Sequence, residues 1–239
     1  MNFDSFFSSF NSKLNELSIK LLDEQYKQFY EYMNLLIEWN EKINLTAIIE
    51  PEEIILKHFI DSLTINKYIE NDKSIADIGT GAGFPGIPLK IANPQNEVVL
   101  IDSLNKRIKF LDEVISINKL DKVQAIHARA EEIGHNKDYR GQFDIVTSRA
   151  VARLNTLLEY MMPLVKVGGE CICMKGPNVE EELEEAKNAI EIFGGELEKI
   201  EEITLPESDN KRTIIVIKSL KPISNKYPRK PGTPSSSPI

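Results

Sequence analysis

The chain is 239 residues long, enough for one α/β domain with an extension. Its 29 basic and 37 acidic residues leave a net charge of −8, and an apolar fraction of 41% is ordinary for a packed core. No apolar run reaches the length of a spanning helix, and the start Met1-Asn2-Phe3-Asp4-Ser5 lacks the basic-then-apolar pattern of an export signal, so no membrane contact is expected.

Residues 1–70 read as a helical extension. From Asp23, a plausible N-cap, the apolar positions Tyr26, Phe29, Met33, Leu36 and Ile37 recur at three- and four-residue steps. Pro51-Glu52-Glu53 opens a further helix with Ile54, Ile55, His58, Phe59 and Leu63 on its apolar side. After Asn71-Asp72-Lys73 the pattern changes. Over 71–220, strands at 74–78, 97–102, 122–127, 143–148 and 169–174 alternate with helices at 85–92, 104–118, 153–164 and 178–193. Asn178 and Gly194 read as the cap and the stop of the last helix. Two further strands fall near 196–203 and 212–218. Such alternation predicts a doubly wound α/β fold, with a mostly parallel seven-stranded sheet and ligands bound beyond the carboxyl ends of its strands.

Residues 221–239 are a basic, Pro/Ser-rich tail, expected to be extended and mobile when free. From Lys211 onward there are seven basic residues and no acid, which leaves 22 basic against 37 acidic residues in the rest of the chain. A basic end on an acidic body suggests a local anionic partner. The two cysteines, Cys171 and Cys173, sit two apart in a strand, a poor geometry for a disulfide. With three scattered histidines they are too few for a metal site. A reducing, cytoplasmic setting, no metal and a monomer are the expectations.

The run Asp77-Ile78-Gly79-Thr80-Gly81-Ala82-Gly83-Phe84-Pro85-Gly86 carries most of the functional signal. An apolar strand ends in an acid, and a glycine-rich turn then opens a helix, which brings backbone close to a nucleotide-like ligand. Gly81, Gly83 and Gly86 match the dinucleotide fingerprint, so an NAD-dependent oxidoreductase is one reading. An aspartate at the mouth would repel a pyrophosphate, however. S-adenosylmethionine brings an ammonium and a sulfonium and no phosphate, so the charge of Asp77 favours that cofactor. Asp102 ends the next strand, near the spacing of the acid that holds ribose hydroxyls.

The acceptor of a methyl group sets the remaining demands. Methylation at pyrimidine carbon needs a cysteine nucleophile, and both cysteines lie mid-strand. The fourth strand ends Thr147-Ser148-Arg149-Ala150, without the Asn/Asp-Pro-Pro-aromatic sequence of many amine methylases. A hydroxyl or carbon acid would want a general base, and none stands in the glycine turn. A ring nitrogen with a free lone pair, such as guanine N7, needs none of these, and cations recognise its N7/O6 edge or nearby phosphates. Arg149 and Lys175, at the ends of the fourth and fifth strands, could supply that charge.

The chain resembles, over nearly its whole length, the bacterial 16S ribosomal RNA guanine-N7 methyltransferase G family, also called glucose-inhibited division protein B. The marks are Trp39-Asn40, Asn44-Leu45-Thr46, His58-Phe59, Asp61-Ser62-Leu63, Asp77 through Pro88, Ala128-Arg129-Ala130-Glu131, Ser148-Arg149-Ala150, Met174-Lys175-Gly176 and Lys226 through Pro238. The resemblance implies a class I S-adenosylmethionine-dependent methyltransferase fold. It implies cofactor contacts at Gly79, Phe84, Ala130, Glu131 and Arg149, beside Asp77, Gly81, Gly83 and Asp102 of the general pattern. It implies a small-subunit RNA substrate, modified at guanine 527, with Arg149, Lys175, Arg212, Arg229 and Lys230 against the RNA. Trp39, Asn44 and His58 would either shape the substrate pocket or tie the helical extension to the core. A noncatalytic RNA-binding assembly factor that senses S-adenosylmethionine is the alternative from another class.

Overall fold

The computed structural model describes residues 1–239. Its strands are β1 (Ser74–Ile78), β2 (Glu97–Asp102), β3 (Val123–His127), β4 (Phe143–Arg149), β5 (Val165–Lys175), β6 (Gly195–Thr204) and β7 (Lys211–Ser219), in the order β3-β2-β1-β4-β5-β7-β6. β1 to β5 pair in parallel, whereas β7 runs antiparallel to both β5 and β6. The central strands are buried throughout, as in Ile75 to Ile78 and Val98 to Ile101, because both sheet faces are covered; Asp77 is the one charged residue in these two stretches. The antiparallel β7 departs from the order of dinucleotide-binding folds, so the oxidoreductase reading loses its structural basis.

The extension contains α1 (Phe3–Glu16) and α2 (Asp23–Ile43), then α3 (Pro51–Ile54), which widens into a π turn over Ile55–Ile60 and closes as α4 (Asp61–Leu63). Asp23 is not the cap of α2. Leu22 holds that place, and its N–H donates to the Gln25 side chain at 2.7 Å. Residues 1–70 do not keep a core of their own. Phe10 packs on Phe29 at 4.8 Å, Tyr32 stacks on Phe59 at 5.4 Å, and Tyr32 lies 5.5 Å from Phe84 of the glycine turn. The aromatic interior of the extension is therefore one face of the sheet, and burial of each such ring stabilises the joint by about 2 kcal/mol. No helix is long and apolar enough to cross a membrane.

The crossover helices are α5 (Gly86–Ala92), α6 (Asn105–Ile117), α7 (Ala130–Ile133), α8 (Leu154–Met161) and α9 (Glu180–Ile192). Asn178 does not cap α9: it takes a left-handed φ of 63°, and Val179 is the cap residue. Gly194, at φ 70°, does end that helix. Cys171 and Cys173 are free and buried under α8.

The tail is packed against the body rather than extended. Arg140 gathers it: Nη1 donates to Gly134 O at 2.6 Å and Tyr227 O at 2.8 Å, and Nη2 to Ile223 O at 3.1 Å. His135 donates from Nε2 to Pro228 O at 2.7 Å, and Tyr227 meets Phe193 edge-on at 5.1 Å. Arg229 caps the carboxylate of Glu159, which is 1% exposed, at 2.6 and 2.9 Å, and α10 (Thr233–Ser236) follows. The physical reason is twofold. A buried carboxylate needs its counter-ion, and prolines leave the free chain less entropy to lose. Arg229, expected on RNA, is committed to Glu159, while Lys230 stays exposed.

Arg229→Met strands the Glu159 charge. We expect a loss of about 3 kcal/mol in urea unfolding and rapid proteolysis after residue 221, with the double variant Glu159→Gln/Arg229→Met recovering part of the loss.

Candidate functional site

The candidate residues Asp77, Asp102 and Arg149 stand at the carboxyl ends of β1, β2 and β4, where parallel strands stop and the chain turns outward. Asp77 is the penultimate residue of β1, with Leu100 of β2 and Thr147 of β4 beside it. It is wholly buried beneath the glycine turn and not at the mouth, which corrects the charge argument drawn from sequence. Oδ2 accepts from Thr80 Oγ1 at 2.6 Å and from the Gly86 N–H at 2.8 Å, and Oδ1 has no partner. A Cβ on Gly86 would lie 2.2 Å from Leu100 and 2.9 Å from Oδ2, so only glycine lets α5 start against this acid. Burial pushes the Asp77 carboxyl up to about 6, against the opposing pull of Thr80, Gly86 and Arg149.

Asp102 is the acid that lines the cavity. Oδ2 accepts from the Gly81 N–H at 2.9 Å and Oδ1 from the Leu104 N–H at 2.9 Å, while Arg107 pairs with it at 3.0 Å. Arg107 escaped the reading of the sequence. The signal was the first turn of α6, Asn105-Lys106-Arg107, which is basic where the helix dipole favours acids.

Three cavities adjoin here, and Val151 borders all of them. A Cβ on Gly79, which sits at φ 67°, would lie 2.5 Å from Val151 Cγ2, so glycine is required where the cavities meet. The first cavity, about 270 Å³, has Gly79, Asp102, Ala130 and Glu131 in its wall. The refolded tail completes it: Gly232 and Ser235 line it, and the Gly232 N–H donates to Glu131 Oε1 at 3.0 Å. Tyr160 lines it too, and nothing in the sequence marked that residue or the tail for this place. The middle cavity, about 400 Å³, lies over Gly79, Gly81 and Phe84, with Thr46, Arg107 and Arg149 around it. Gly83 is not in that wall; it packs inward, near Tyr32 and Ile87.

The third cavity, about 650 Å³, is rimmed by Lys57, Arg149, Arg153, Lys175 and Arg212, against the acids Asp61 and Glu182. Arg149 leaves the end of β4 and holds the π turn. Nη1 donates to Lys57 O at 3.0 Å and Asp61 Oδ2 at 3.3 Å, and Nη2 to His58 Nδ1 at 3.1 Å. Its guanidinium lies 5.0 Å over the Phe84 ring, and the His58 ring stacks on Phe84 at 4.3 Å. Arg212 Nε bonds Asp61 Oδ2 at 3.0 Å. The Lys175 charge is spent locally, on Glu182 at 2.7 Å and Ala152 O at 2.6 Å. Burial first, then Arg149, depresses the His58 imidazole to about 3, so it is neutral at physiological pH. His58 thus belongs to the site. Trp39 packs on Phe110 at 5.7 Å, and Asn44 ends α2 in a left-handed conformation at φ 46°.

The sheet with its antiparallel β7, the glycine turn after β1, and acids after β2 and on α7 define a class I methyltransferase domain. Solved structures share the fold. The ribosomal protein L11 methylase of Lactobacillus delbrueckii subsp. bulgaricus superposes with a TM-score of 0.52 at 15% identity, over 68% of this chain and 77% of that one. TYW2 of M. jannaschii, solved in complex with AdoMet, does so with a TM-score of 0.51 at 20% identity, over 66% and 74%. A family model described as GidB, rRNA small subunit methyltransferase G, matches residues 25–215. Proteins named ribosomal RNA small subunit methyltransferase G are close in sequence. That of Acetivibrio thermocellus is 55% identical over 92% of this chain and 91% of its own length, and that of Alkaliphilus oremlandii 51% over 93% and 94%. The chain belongs to this rRNA small subunit methyltransferase G family.

The raised Asp77 carboxyl has a stability consequence. Between about pH 4 and 6 the folded state holds a proton that the unfolded state has lost, so ionising Asp77 costs stability as pH rises through that window. His58 acts in the opposite sense below about 6.5, so the wild-type curve mixes the two. Asp77→Asn isolates one: the stability difference from wild type should move by about 3 kcal/mol in the variant's favour between pH 4 and 6.5, read by urea unfolding. A difference that is flat with pH would mean the carboxyl is not shifted.

Proposed function

We propose that this chain transfers a methyl group from S-adenosylmethionine to N7 of a guanine in 16S ribosomal RNA of the small subunit. The observation that carries the reading is the row of three adjoining cavities, acidic at the Asp102/Glu131 end and cationic at the Arg149/Arg212 end. A nucleoside with a positive centre suits the first, and a polyanion suits the second.

The residues present fit S-adenosylmethionine. Asp102 and Glu131 offer acceptors for ribose hydroxyls and an adenine amino group, and the buried Asp77 Oδ1 is an unpartnered acceptor directly under the turn. When bound, the cofactor supplies an electrophilic methyl on a sulfonium. The chain's own part is placement. Gly79 and Gly81 let the backbone approach, Phe84 and Val151 form apolar wall where the cavities meet, and Arg149 holds the π turn against Phe84. Guanine N7 attacks with its own lone pair and carries no proton, so no general base or covalent nucleophile is required. Glu53, Glu182 and Asp61 neutralise part of the rim, and Lys230 on the tail adds free charge for phosphate. We take the chain to act as a monomer in the cytoplasm, a reducing setting that suits its two free, buried cysteines.

Labelled cofactor should transfer to 16S RNA or small subunits, and cleavage at N7-methylguanine should map one nucleotide. No transfer, with cofactor binding retained, would favour a noncatalytic assembly factor. Lys230→Ala should weaken RNA binding and reduce the slope of log affinity against log salt by about 1, with cofactor affinity unchanged.

A further inference from the structure

The hydrogen-bond chain that begins at Arg149 has only one way to end. A guanidinium can only donate, so the Arg149 Nη2 contact at 3.1 Å requires a lone pair on His58 Nδ1. A neutral imidazole then carries its proton on Nε2, which lies 2.9 Å from Thr46 Oγ1. Nε2 therefore donates and the threonine accepts. The Ile48 N–H donates to the same oxygen at 3.0 Å. A hydroxyl has two lone pairs, and both are now used. Its proton is left over, on a side chain that is half-buried and lines the middle cavity.

Thr46 is also held in place from behind, since its N–H donates to the Asn40 side chain at 2.8 Å. The hydroxyl is thus a fixed donor that cannot accept. His58 and Arg149 line both the middle and the third cavity, and Ile48 lines the third, so Thr46 stands at the border between them. That border is where an acceptor base must meet the methyl group.

We infer that Thr46 is a specificity-determining residue, whose hydroxyl donates to O6 of the target guanine beside the N7 that is modified. The inference rests on the guanine-N7 reading above. Guanine presents an acceptor at O6, whereas adenine presents an amino donor there. A hydroxyl with no free lone pair has nothing to offer that amino group, so the site rejects adenine with an unpaired donor. Arg149 and His58 are positioning residues in this arrangement, because they fix the direction of the Thr46 proton without touching O6.

The test uses the full chain, saturating S-adenosylmethionine, and two RNAs that differ only at the target. One carries guanine; the other carries 2-aminopurine, which keeps N7 and lacks O6. Wild type should methylate the guanine RNA about tenfold faster in kcat/KM, the size of one hydrogen bond. Thr46→Val should lose that ratio by slowing on guanine alone, and Thr46→Ser should restore it. The ratio is internal to each variant, so partial unfolding of Thr46→Val, which leaves the Ile48 N–H and His58 Nε2 unpaired, does not mimic the result. An unchanged ratio in Thr46→Val overturns the inference. So does a tenfold weaker Kd for S-adenosylmethionine with the ratio intact, which would assign the proton to the cofactor carboxylate. If the wild-type product maps to an atom other than N7, it is the function reading that fails, whatever Thr46→Val does.

Discussion

The guanidinium of Arg149 is the tie on which the site depends. It leaves the end of β4, satisfies the Lys57 carbonyl that the π turn leaves open, pairs with Asp61 and lies on Phe84. A π turn releases backbone groups that an α-helix would satisfy, and such turns recur at functional sites for that reason. Here the released carbonyl is met by a charge rather than by water. The extension, the glycine turn and the central strand are thereby held to one geometry. Removing the guanidinium would leave Asp61 with Arg212 alone and His58 without its donor, so its loss should be felt in the middle and third cavities, which Arg149 lines.

Charge is distributed so that an acidic protein can hold an acidic polymer. The body carries the excess of acid, yet the rim of the largest cavity carries five cations against two acids. Several of those cations are already paired, and this decides what they do. Lys175 spends its charge on Glu182, and Arg212 on Asp61, so they shape the rim and orient what enters it. On the proposed function, free charge for phosphate comes from exposed residues such as Lys230. Affinity for RNA and placement of the base therefore fall to different residues.

The sheet was legible because each central strand is a short apolar run between turn residues, and the glycine turn because its residues serve no other purpose. Asp102 and Arg149 close apolar strands, which is what singles them out in the sequence, whereas Glu131 on α7 entered through the family resemblance. The failures share one cause. Asp77 was placed at the mouth, although strand burial puts it under the turn. Arg229 was assigned to RNA, because a sequence shows a cation and not the buried Glu159 that claims it. Tyr160 and the tail wall arise from contacts distant along the chain, such as Gly232 to Glu131, which no local pattern encodes; Arg107 carried a local mark, the basic first turn of α6.

The packed tail changes what binding means for this protein. Composition alone points to a solvated basic strand, yet Arg140, His135 and Glu159 fasten it by the backbone and by one buried ion pair. Its Gly232 N–H then occupies one oxygen of Glu131, in the wall of the first cavity. A ligand filling that cavity touches the tail and the body together, so its binding energy also holds the tail down. By linkage, the factor by which the ligand favours the docked tail is the factor by which the docked tail tightens the ligand. A segment that reads as a free handle for RNA is, in the folded chain, also the far wall of the first cavity.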